Sequence, residues 1–135
     1  MQKISIVLLL PLIVACQGKK TLSQSSSNTR IYGKWQLISI TQKNTNQKQD
    51  FSTKNLFATF TQDNRLQFNL DVNSCEGKFI LVGKNEIQMQ ATDFVCTQAC
   101  CDSIRVNYVA VKRYEIRGKT LKLFSDTEIL ELRKG

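Results

Sequence analysis

The chain has 135 residues, which is room for one domain, and it carries a formal net charge of +8 with five cysteines and no histidine. The absence of histidine removes Ser-His and Cys-His relays and imidazole metal sites, and no G-x-x-x-x-G-K-S/T phosphate loop is present. The cations form no block: Lys19-Lys20 and Arg133-Lys134 are the densest pairs, and both lie at edges.

The first predicted element is an export signal. Lys3 supplies positive charge, residues 4–14 are apolar apart from Ser5, and Ala15 is the small residue that cleavage requires. The run is too short for a spanning helix, which needs ~20 residues. Ile13-Val14-Ala15-Cys16 resembles a lipobox, the bacterial motif whose cysteine takes up a diacylglyceryl group through its thiolate and becomes residue one. An ordinary secretory signal with a chance cysteine is the alternative; charge, apolar run, small residue and cysteine in that order favour the lipobox. The resemblance implies lipid on Cys16 and a membrane as partner. It also implies an outer-membrane anchor, because Gln17 stands where some Gram-negative lipoproteins carry a retaining Asp. Each buried methylene contributes ~0.8 kcal/mol of membrane affinity, so two or three acyl chains hold firmly. Export makes nucleic acid a poor partner. Loss of residues 1–15, whose one charged residue is Lys3, leaves a net charge of +7. Its dispersal favours a solvated surface over attraction to anionic lipid or an acidic partner.

Residues 17–30 are polar and Ser-rich around Ser25-Ser26-Ser27, the composition of a flexible tether. The folded domain is expected over residues 31–135, a single core without internal repeat. From Trp35 onward the dominant period is two. In residues 65–72, Leu66, Phe68, Leu70 and Val72 share one face, and Arg65, Gln67, Asn69 and Asp71 the other. Residues 86–91 repeat this with Ile87, Met89 and Ala91, and shorter versions fall at 35–41, 56–61, 78–82, 114–117, 120–124 and 128–133. Half-buried antiparallel strands alternate in this way. The gaps at 62–64, 83–85, 118–119 and 125–127 are rich in Gly, Asn and Asp and suit tight hairpins. The expected fold is mostly β: a small antiparallel, barrel-like meander of about eight short strands, which leaves no unpaired edge. Two segments break the pattern. Residues 42–54 are polar and expected to form a longer loop. In residues 102–113, Ile104, Val106, Tyr108 and Ala110 alternate as in a strand, yet Ile104, Tyr108 and Val111 also line a helical face that Asp102 or Ser103 could cap.

Apart from Cys16, four cysteines remain: Cys75, Cys96, Cys100 and Cys101. In an oxidising envelope an even number points to disulfides. Pairing the neighbours Cys100 and Cys101 is the least favoured of three connectivities, since adjacent Cα atoms lie ~3.8 Å apart, short of the ~4.4–6.8 Å of a relaxed disulfide. Adjacent side chains in extended chain point opposite ways, so these two are expected to seek different partners. The other two pairings join Cys75 to one of them and Cys96 to the other. A four-cysteine zinc site lacks paired C-x-x-C knuckles, so no metal is expected. A catalytic thiol has no histidine to activate it. Asp71 and Glu76 are the nearest carboxylate pair flanking a cysteine; solvated strand or turn positions account for both, and neither is assigned a catalytic role. No enzyme activity and no cofactor are expected.

Five segments, in order, resemble the META domain of bacterial envelope lipoproteins: Tyr32-Gly33-Lys34-Trp35-Gln36-Leu37, Phe60-Thr61-Gln62-Asp63-Asn64-Arg65, Asn73-Ser74-Cys75-Glu76-Gly77-Lys78-Phe79, Thr97-Gln98-Ala99-Cys100, and Tyr114-Glu115-Ile116-Arg117-Gly118-Lys119-Thr120-Leu121-Lys122-Leu123. The family pattern has Gly-Cys-Asn where this chain has Ser74-Cys75-Glu76, and Cys96 and Cys101 are extra to it. The resemblance implies a lipid-anchored envelope protein without enzymatic activity, with a binding or stress-tolerance role, and a short helix within residues 103–112. Gly33-Lys34-Trp35 also resembles the G-x-W of lipocalins and fatty-acid-binding proteins. In those barrels a tryptophan closes one end against a basic residue of the last strand, for which Arg133 is the candidate here. That second resemblance implies a carrier of a small apolar ligand, with a cavity walled by Trp35, Phe68, Leu70, Phe79 and Met89. A lipoprotein inhibitor of an envelope-attacking enzyme ranks third. The expected partners are thus the membrane, through Cys16, and an envelope protein or a small apolar ligand; a monomer is expected, and no ligand-binding residue is identified.

Overall fold

Most of the period-two alternation becomes strand in the described residues, which are 28–135 of a computed structural model. The strands are β1 (Gly33–Gln42), β2 (Lys48–Asp50), β3 (Phe57–Phe60), β4 (Arg65–Asn69), β5 (Ser74–Val82), β6 (Glu86–Met89), β7 (Val95–Cys96), β8 (Arg113–Arg117), β9 (Thr120–Phe124) and β10 (Glu128–Lys134). Eight of them form one antiparallel sheet in the order β1-β3-β4-β5-β6-β8-β9-β10, and β10 returns to pair with β1 from Trp35↔Lys134 to Gln42↔Glu128. This closed barrel is the meander expected from the turns, and closure consumes both edges. Strand β2 extends the far half of β1, and β7 continues β6 along β5.

The inward faces supply a single core: Trp35 and Leu37 of β1, Ala58 and Phe60 of β3, Leu66 and Phe68 of β4, Phe79 of β5, Ile87 and Met89 of β6, Leu121 and Leu123 of β9, and Leu130 and Leu132 of β10 are buried. The turns behave as their residues dictate. Asn64, Gly83 and Gly118 take positive φ of 62°, 60° and 57° in the hairpins where they were expected. In the 125–127 turn, Ser125 Oγ accepts the amides of Thr127 and Glu128.

The barrel has two ends. The lower end holds the start of β1, the turns 61–64, 83–85 and 118–119, and the C-terminus. The upper end holds residues 43–55, 70–73, 90–112 and 125–127. The first described element, a 3-10 turn at Asn28–Ile31, lies at the lower end and buries Ile31 completely.

Several expectations are corrected. β4 stops at Asn69, because Asn69 Oδ1 accepts the amide of Phe57 and the chain then turns; Val72 therefore projects into solvent rather than the core. β6 stops at Met89, and Ala91 is exposed in a 3-10 turn (Ala91–Asp93). The polar stretch 42–54 folds back as β2 and tucks Phe51 into the core, its amide bonded to Ile38 O at 2.7 Å. Residues 103–112 form neither a strand nor an α-helix; they hold a single 3-10 turn, Tyr108–Ala110, capped by Asn107 Oδ1 on the amide of Ala110 rather than by Asp102 or Ser103. The three residues of the helical face, Ile104, Tyr108 and Val111, are nonetheless the ones buried. They fill the place where β6 and β8 diverge above their one bridge, Glu86↔Arg113.

Candidate functional site

The outer face of β3, β4, β5 and β7 carries the most distinctive surface. Thr59, Gln67, Glu76 and Val95 are register partners in one row across the four strands. Asn69 and Ser74 form the next row, with Phe57 and Thr97 at its ends. Together with the edges of Phe68 and Cys75 they line an open cleft of about 540 Å³. Its polar side chains are held by one another. Glu76 is ion-paired to Arg65 and accepts Gln67 Nε2 at 2.6 Å; Asn69 Nδ2 donates to Asn55 O at 2.9 Å. Lys34 Nζ lies 3.9 Å from the centre of the Phe57 ring. Val95 is 73% exposed on the cleft wall, and the other strongly exposed large apolar residues, Val72, Ile80 and Val82, belong to the same stretch of chain. Of these four among the described residues, Val95 alone lines the cleft.

The floor is fixed by a disulfide. Cys75 and Cys96 are directly opposed on β5 and β7, and Thr97 N donates to Ser74 O, so they form the pair without mutual hydrogen bonds, where side chains approach most closely. They are bonded, with Cα atoms 4.0 Å apart. This corrects the expected pairing. Once β7 lays Cys96 against Cys75, Cys100 and Cys101 have only each other among the described residues, and the structure joins them, with Cα atoms 3.6 Å apart. The chain there is not extended, which was the premise of the opposite expectation: Cys101 has φ of +93°.

Above the cleft two loops are latched by side chains to which sequence reasoning gave no such role. Asn73 is buried, donating from Nδ2 to Ala99 O and Asp102 Oδ2 and accepting at Oδ1 from Thr97 Oγ1 and Ala99 N. Asp102 Oδ1 accepts the amides of Val72 and Asn73. Asp71 accepts both the hydroxyl and the amide of Ser103, which hold its carboxyl well below the usual carboxylate range. The two carboxylates weighed from sequence thus do separate things: Asp71 ties loops, and Glu76 lies in the cleft with Arg65 and Gln67. The only signals for the latch were the Asn and Asp residues themselves, side chains that bond backbone in turns.

At the lower end Trp35 is buried, its Nε1 donating to Ile31 O at 2.7 Å. The basic residue against it is Lys134, not Arg133: Lys134 Nζ lies 4.3 Å from the Trp35 ring and donates to Tyr32 O at 2.7 Å. The register decides this, since Trp35 pairs with Lys134 and Arg133 with Gln36. The sheet's alternation therefore turns Arg133 outward. Gly33 is favoured by its φ of +122°, and a Cβ there would displace the end of Lys134 from its place, lying 2.6 Å from Nζ. Of the five side chains proposed to wall a ligand cavity, Trp35, Phe68, Phe79 and Met89 belong to one packed core cluster and Leu70 packs against it. Among the described residues no group of three or more Cys, Asp or Glu is placed to hold a metal ion. Cys16 and the residues expected to form an export signal lie outside the described residues.

No family model matches the chain, and no curated protein matches it. Among solved structures it is similar to the crystal structure of a DUF4847 family protein from Bacteroides vulgatus ATCC 8482. The two are 11% identical, the match covers 78% of this chain and 94% of that one, and the TM-score is 0.52. The likeness is one of fold.

Proposed function

We propose that the chain is a lipid-anchored protein of the bacterial cell envelope that works by binding another envelope protein through the outer cleft, without catalysis, in the role that the META resemblance implies. The observation that carries this reading is the position of the cleft. It lies outside a barrel whose interior is filled by its own side chains, and Val95 stands 73% exposed on its rim. Two of the five META-like segments, 73–79 and 97–100, reach the cleft, through Ser74, Cys75, Glu76 and Thr97. The closed eight-stranded barrel with Lys134 over Trp35 favours the second reading, a calycin-like carrier of a small apolar ligand, and the occupied interior weighs against it.

A photo-cross-linking residue at Val95, in the protein expressed in the envelope, is expected to capture one discrete partner. The same probe at Ile129, on β10 across the barrel, is expected to capture none. Equal capture from both positions, or none from Val95, would reject the cleft as the binding surface. Mass spectrometry of the same material is expected to show an acylated Cys16 as the first residue; an unmodified thiol there would reject the anchor.

A further inference from the structure

Dispersed in sequence, the charges are sorted in space. The lower-end segments (28–34, 61–64, 83–85, 117–119 and 133–135) bring together seven cations, Arg30, Lys34, Lys84, Arg117, Lys119, Arg133 and Lys134, all exposed, against one acidic side chain, Asp63; Arg117 is ion-paired to Glu115 of β8, which leaves six cations to that one carboxylate. The upper-end segments (43–55, 70–73, 90–112 and 125–127) hold five cations and five acidic residues. The basic residues are adjacent across the lower end. Arg30 Nη2 donates to Gly118 O, Lys134 N bonds Lys119 O at 2.8 Å, and Arg30 and Lys84 line one hollow. We propose that this lower end seats on an anionic phospholipid surface.

The course of the chain selects lipid among anionic partners. The Asn28–Ile31 turn leaves the barrel at the basic end, and the eleven residues 17–27 separate it from Cys16. Fully extended at ~3.3–3.6 Å per residue, they reach at most about 40 Å. Lipid on Cys16 would therefore hold the basic end within that distance of headgroups, at an effective concentration no soluble polyanion matches. Seated this way, the barrel stands on end, and the cleft, on its flank, stays open to a partner. The orientation rests on the anchor proposed for Cys16; the attraction of the basic end to anionic lipid does not.

The test uses the unlipidated chain 17–135, which contains the whole closed barrel and its core. It is titrated with vesicles of phosphatidylglycerol and phosphatidylethanolamine in equal parts, and with vesicles of phosphatidylcholine alone. Binding to the first and not the second is expected, weakening with added salt. Each basic residue near an anionic surface contributes about a fivefold factor in affinity, so Lys84→Gln with Lys119→Gln should weaken binding about thirtyfold. Lys48→Gln with Lys54→Gln, at the upper end, removes the same charge and should leave binding unchanged. Thermal midpoints of both double variants confirm folding. Absence of binding to the anionic vesicles, equal binding to both kinds of vesicle, or equal weakening by the two pairs would overturn the proposal. Absence of binding would leave an acidic protein as the ligand of this end. Because no acyl group is involved, failure here is separate from failure of the Cys16 assignment.

Discussion

Gly77 shows how one missing side chain shapes the cleft wall. Its register partner on β4 is Leu66, so a side chain at 77 would point into the barrel. That space is filled from the next strand: Phe94 folds in, and a Cβ on Gly77 would lie 2.4 Å from its ring. The chain manages this by bulging. Gln90 N bonds Lys78 O, and Val95 pairs with Glu76, so residues 91–94 lie opposite Gly77 alone. Gly77 does not take positive φ, so alanine meets no backbone objection there, only Phe94. Gly77→Ala is therefore expected to cost about 1–3 kcal/mol, as overpacking does, read from the denaturant midpoint. Phe94→Leu is expected to recover most of that loss in the double variant. A Gly77→Ala protein with wild-type stability would show that Phe94 can leave its place freely.

Among the elements, β7 is the shortest and the most consequential. Its two residues hold one wall of the cleft, and its cysteine closes a loop across twenty-one positions to Cys75. A loop of that length corresponds to about 3 kcal/mol of chain entropy removed from the unfolded state, so Cys75→Ala with Cys96→Ala should lower stability by about that amount in denaturant titration. The pairing has its own check. Cys96→Ala alone should leave one thiol that alkylates at Cys75; alkylation at Cys100 or Cys101 instead would mean a crossed connectivity. Most strands were legible in sequence because alternation is a local property: β9, at Thr120–Phe124, appears with the bounds expected for it. The candidate site was not, because β7 is too short to show a period and its place against β5 depends on a bulge. The disulfide was misread for the same reason. The expectation assumed extended chain at Cys100-Cys101, and the latch of Asn73 on Ala99 and Asp102 bends it. Lys134 was missed in favour of Arg133 by a single step of register, which in a sheet exchanges the inner and outer faces.

Taken whole, the barrel is closed at each end by an aromatic side chain. Trp35 lies below, with Lys134 across its ring; Tyr108 lies above, 4.5 Å from the centre of Phe68, in the segment that bridges the divergence of β6 and β8. The upper closure has a chemical weakness that the lower one lacks. Tyr108 is a buried phenol, and burial pushes its pKa above the ordinary value of 10.0; Tyr114, on β8 at the same seam, is shifted in the same direction by partial burial. A phenol that stays neutral in the fold but ionises in the unfolded chain stabilises the fold fully below pH 10. It withdraws that stability as pH rises toward the folded pKa, because the unfolded state then binds fewer protons than the native one. Stability should therefore be level through neutral pH with respect to this group and fall steeply above about pH 10. Tyr108→Phe should delay that fall. In an ultraviolet titration of the three tyrosines, Tyr108 should ionise last and together with loss of the near-ultraviolet dichroism of Trp35. Ionisation of all three while the dichroism persists would mean that the upper mouth opens to water without unfolding. That is what a ligand-admitting barrel requires, and it would move the functional reading from the outer cleft to the interior.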